Sequence, residues 1–113
     1  MPTAKDVEIW MDAAQGMGFS TIICFLEDRK LAKWYGGLYE NGLLGRYKQR
    51  GFTVFHFPVE DYQPVPDDVR KQSLEAFVSV PKPVVLQDSG GASRTGAVAR
   101  YIVEQLSRRA RGA

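Results

Sequence analysis

Val84-Val85-Leu86-Gln87-Asp88-Ser89-Gly90-Gly91-Ala92-Ser93-Arg94-Thr95-Gly96 passes from an apolar, β-branched run through small residues into a segment of helical periodicity. Val84, Val85 and Leu86 read as a short buried strand, and residues 95–108 as an amphipathic helix with Val98, Ile102 and Leu106 inward. Between them, small side chains and the adjacent Gly90 and Gly91 let the backbone curl until several N–H groups converge on one point. The following helix aims the positive end of its dipole at that point. Arg94 adds a fork that can hold two oxygens of one tetrahedral anion. Residues 88–94 therefore read as an anion-binding loop, with Ser89, Gly90, Gly91, Ala92, Ser93 and Arg94 as its phosphate-binding positions. The plain alternative is a glycine turn with a surface arginine.

Working outward, helical and strand periodicities alternate. Residues 5–17 place Val7, Trp10, Met11, Ala14 and Met17 at helical spacing, with Thr3 as a cap and Gly16 and Gly18 as the stop. Residues 19–26 form a β-branched strand, and residues 29–35 a helix with Leu31, Ala32, Trp34 and Tyr35 inward. Gly36-Gly37 breaks that helix, and Gly42 and Gly45 leave the next region only loosely helical. Residues 52–57 form a second strand, stopped by Pro58, and Pro64 and Pro66 keep the following loop stiff and non-helical. Asp67 or Asp68 can cap the next helix, whose inner face is Val69, Leu74, Phe77 and Val78, and which Pro81 and Pro83 close.

The order α-β-α-β-α-β-α predicts an α/β fold: one three-layer domain over residues 1–113, with a short, mostly parallel sheet flanked by helices. Ligands in such sheets bind beyond the carboxyl ends of the strands, which points to the loops after Leu26, Phe57 and Leu86.

Composition narrows the function classes. At 113 residues and a net charge of +2, the chain has the size of one domain and too little charge to imply a nucleic-acid partner. Arg100, Arg108, Arg109 and Arg111 suit the negative end of the last helix and read as a solvated face. Cys24, the single cysteine, lies inside an apolar strand and reads as a buried, inert thiol. One His and one Cys make no zinc cluster, so neither a metal nor a cofactor is expected. His56 reads as a structural strand residue. With no stretch long enough to span a bilayer and no signal peptide, the expected location is the cytoplasm.

Two other phosphate motifs fail on the residues. A nucleotide P-loop requires a lysine after its glycine, where this chain has Gly96-Ala97, and the G-x-G-x-x-G spacing of dinucleotide folds is absent. What remains resembles the protein tyrosine and dual-specificity phosphatases, whose signature is His-Cys, five residues and Arg-Thr-Gly after an apolar strand. The spacer from Ser89 to Ser93 has that length, and Arg94-Thr95-Gly96 matches. Upstream, His56-Phe57-Pro58-Val59-Glu60-Asp61-Tyr62-Gln63-Pro64-Val65-Pro66 is similar to the family's acid loop, with Asp61 at the general-acid position. The resemblance is closest to the small archaeal and atypical dual-specificity members and covers residues 19–104. It implies a phosphatase-like fold in a minimal form with a truncated C-terminus. It also implies that phosphate, or a phosphorylated protein or small molecule, is the partner. Asp88, Arg94, Asp61 and Thr95 would then stand at the catalytic positions.

Two departures alter the functional expectation. Asp88 stands at the family's nucleophilic cysteine, and Gln87 at the histidine before it. Thiolate attack on phosphorus has no group to perform it at this position. Asp88 as a nucleophile would call for Mg²⁺ and a second carboxylate, none of which is evident beside it, and Ser89 lacks a neighbouring base. The expected protein is a pseudophosphatase: a phosphate-binding, regulatory or docking module with impaired catalysis. The alternatives are an active phosphomonoester hydrolase of unorthodox chemistry and a structural subunit with a vestigial loop. Tyr62 and Gln63 are expected at the pocket mouth.

Overall fold

A computed structural model describes residues 2–60, 62–88 and 93–112, with nothing described of the Ser93 side chain. Along the chain run α1 (Ala4–Gly16), β1 (Thr21–Cys24), α2 (Asp28–Tyr35), α3 (Gly42–Gln49), β2 (Thr53–His56), α4 (Asp67–Ser79), β3 (Val84–Gln87) and α5 (Ser93–Gly112). The three strands form one sheet in the order β2-β1-β3. Both pairings are parallel: Thr21 stands opposite Thr53 and Val84, and Cys24 opposite His56 and Gln87. The expected α/β class, with a parallel sheet between helices, is the architecture found.

The layers follow from the alternation of side chains along β1. Ile22 and Cys24 point to a cluster with Val7, Met11 and Ala14 of α1 and Leu43 and Tyr47 of α3. Ile23 and Phe25 point to the opposite face, onto Val69, Leu74 and Ala76 of α4 and Val98 and Ile102 of α5. The crossovers β1→β2 and β2→β3 run in opposite directions across the sheet. A shared hand therefore puts their helices, α3 and α4, on opposite faces.

Several local expectations are corrected. The region expected to be loosely helical contains a regular helix, α3, which makes eight elements among the described residues rather than seven. Its first residue, Gly42, takes a φ of 71°, a turn that glycine makes without strain. β1 and β2 are shorter than expected, because ladder pairing ends while single bonds continue, as from the Phe25 N–H to the Gln87 carbonyl and from the Phe57 N–H to the Cys24 carbonyl, whereas β3 runs one residue further than expected, to Gln87. Neither Asp67 nor Asp68 caps α4; Pro66 holds the N-cap position and no side chain bonds there. Trp10, Met17, Ala32 and Val78 were expected inside and are exposed. Trp10 nevertheless stacks its ring on Phe52 and packs it at a tilt against Tyr47. Among the described residues, no helix is long and apolar enough to cross a membrane.

Candidate anion site at the carboxyl edge of the sheet

β1 and β3 are neighbours, yet the helices after them pack on opposite faces, α2–α3 on one and α5 on the other. A crevice opens beyond the carboxyl ends of such a pair of strands. Glu27 follows β1 into it, and Asp88 follows β3.

Arg94, on the first turn of α5, fills this crevice. Its side chain is 2% exposed. Nη1 donates to Glu27 Oε1 at 2.8 Å and to the Val59 carbonyl at 2.6 Å. Nε lies 3.8 Å from Asp88 Oδ2, whose side chain is 1% exposed. The guanidinium is thus anchored on one edge by the β1 and β2 loops, while its Nε edge faces the Asp88 carboxylate. Asp88 Oδ2 also accepts the backbone N–H of Thr95 at 3.0 Å. That donor belongs to the first turn of α5, where N–H groups have no intrahelical acceptor. The Asp88 carboxylate therefore sits where a helix N-terminus and an arginine would receive a bound anion.

Glu27 was not singled out from the sequence. Burial pushes its carboxyl up, but Arg94, Lys30 and Arg29 outweigh burial and hold it below the usual carboxylate range. Lys30 Nζ stands 3.7 Å from Oε1 and Arg29 Nη2 3.4 Å from Oε2. The signal that could have found it is positional. It is the first charged residue beyond the most apolar strand, at the edge where this sheet class gathers its functional groups.

Gln87, just before Asp88, is pinned by Tyr47: Nε2 donates to the hydroxyl at 3.0 Å. Burial pushes the Tyr47 phenol well above its usual range, so it stays a neutral hydroxyl. Burial also pushes the Cys24 thiol up to about 11, which makes it a poor source of thiolate. His56 Nε2 donates to the Leu26 carbonyl at 2.6 Å, in keeping with its structural reading.

Asp61, the expected general acid, lies outside the described residues, as do Ser89, Gly90, Gly91, Ala92 and the Ser93 side chain. Their neighbours Tyr62 and Gln63 line a cleft of about 360 Å³ together with Pro64, Val65, Arg70, Arg94 and Ala97. Tyr62 is 97% exposed and takes a φ of 62°, uncommon for a side chain of its bulk. Of the residues expected to act together, the structure brings Asp88, Arg94 and Thr95 into one cluster and adds Glu27 and the Val59 carbonyl. No protein-family model matches the chain, and no curated protein sequence matches it.

Proposed function

We propose that this chain is a phosphatase-like pseudophosphatase, a module that binds a phosphorylated ligand without thiol-based turnover. One observation carries the reading: a buried arginine on the first turn of α5, braced from behind by Glu27, with its Nε edge directed at a buried aspartate in the nucleophile position. Support comes from the sequence signature around Arg94-Thr95-Gly96 and from the position of the cluster beyond adjacent parallel strands.

Asp88 sets the affinity. A phosphate brought to Arg94 meets the Asp88 carboxylate at close range. Two unit charges ~4 Å apart at an effective dielectric of 20 repel by about 4 kcal/mol, and a dianion doubles this before screening. Native affinity for free phosphate is accordingly weak. The test has two arms. The native protein is expected to release no phosphate from p-nitrophenyl phosphate above buffer, with or without Mg²⁺. Calorimetry at low salt is expected to find inorganic phosphate bound at least ~10-fold more tightly by Asp88→Ser than by the native chain. Turnover that vanishes in Asp88→Asn would replace this reading with an active hydrolase. Equal affinities would remove Asp88 from the anion site.

A further inference from the structure

Arg70 lies on the first turn of α4 and lines the same cleft as Arg94. The two arginines are differently placed. Arg94 is engaged by Glu27, Val59 and Asp88. The Arg70 side chain forms no ion pair or hydrogen bond with the described residues, and its Nε is buried without an acceptor. A guanidinium N–H withdrawn from water and left unbonded carries a desolvation cost that an incoming acceptor relieves. The described residues that line the cleft include both arginines, Tyr62 and Gln63, and no acidic residue.

We propose that Arg70 is a ligand-binding residue that holds a second anionic group, so that the ligand carries two oxyanions a short chain apart. Its first group, a phosphoryl, is addressed to Arg94, and its second is gripped by the planar fork of Arg70. This rests on the functional reading above and narrows its ligand class. A monophosphate meets one engaged arginine and the charge of Asp88. A ligand with two anions gains a contact with Arg70, which opposes no carboxylate among the cleft's described residues. The class is therefore a bisphosphate, or a phosphomonoester with a nearby carboxylate.

Calorimetry on Asp88→Ser, with propyl phosphate against ethane-, propane- and butane-bisphosphate, tests this at low salt. The best bisphosphate is expected to bind roughly 10-fold more tightly than propyl phosphate, the gain of one charge-assisted contact. Adding Arg70→Gln is expected to lower that ratio to about the twofold statistical advantage of two phosphates, and Arg70→Lys to an intermediate value. On the chain with Arg70 intact, the Arg70 Nε–H resonance is expected to shift with bisphosphate and not with propyl phosphate. A preference that survives Arg70→Gln, or no preference at any chain length, overturns the role of Arg70 while phosphate binding stands. Failure of Asp88→Ser to bind propyl phosphate at all overturns the site itself, and the Arg70 proposal with it.

Discussion

Arg94 is a full positive charge taken out of water, and it is held there by groups from distant parts of the chain. Glu27 Oε1 stands 2.8 Å from Arg94 Nη1. Removing one partner of a buried pair leaves an uncompensated charge and costs several kcal/mol. Glu27→Gln is therefore expected to destabilise the fold by about 3 kcal/mol, the low end for such a change because Asp88 and the Val59 carbonyl remain. Urea unfolding checks this: the midpoint should fall while the slope stays constant. At this scale the sequence was legible in Asp88, Arg94 and Thr95, because they lie within one short segment. Glu27 and Arg70 were not. An acid at the head of a helix and a basic residue near the start of another each have an ordinary local explanation, and only folding brings them to Arg94.

Helix starts show where local chemistry suffices. Thr3 caps α1 through a reciprocal box: its hydroxyl accepts from the Asp6 N–H at 3.1 Å, and its own N–H donates to Asp6 Oδ2 at 3.2 Å. Thr3→Ala is expected to cost about 1 kcal/mol, read as a drop in the thermal midpoint with a folded spectrum retained. The same reasoning misplaced the start of α4. Pro66 is already extended, with φ −61° and ψ 150°, and so it takes the flanking position itself. Asp67 and Asp68 then fall inside the first turn, where their charges face the positive end of the dipole. For α3 the glycines dominated the sequence reading, yet Leu43 and Tyr47 are buried one turn apart and the packing they supply outweighs weak propensity.

Across the whole molecule, α1 and α3 are tied by a charge cluster centred on Glu8. Arg46 Nη2 donates to it at 2.6 Å, the Tyr39 hydroxyl at 2.6 Å and Arg50 Nη1 at 3.1 Å. The hydrogen bond from Arg46, then that from Tyr39, bring the Glu8 carboxyl from its ordinary 4.5 down to about 2. A carboxyl depressed in the folded state adds stability above its ordinary value and loses it as pH falls toward the folded one. Glu8→Gln should therefore flatten the loss of stability between pH 4.5 and about 2, measured as thermal midpoint against pH. Glu27, also held low, adds to the same acid limb with the same sign. The layered α/β class was legible because three apolar runs alternate with helical ones. Strand order was not, since periodicity carries no information about which strand lies in the middle.

That middle place belongs to β1, paired on one side with β2 and on the other with β3. Ribosomal synthesis delivers these strands in the order β1, β2, β3, and domains gain structure as the chain emerges. β1 and β2 can join while β3 and α5 are still unmade. In that interval β1 shows a bare hydrogen-bonding edge, the kind of template on which neighbouring chains pair. Glu27 meanwhile waits in water for its cation. Arrival of the last strand closes the edge, and the helix behind it delivers Arg94. Nascent chains of this protein are thus most open to misassociation just before the crevice between β1 and β3 exists, and the joining of Arg94 to Glu27 marks the end of that exposure.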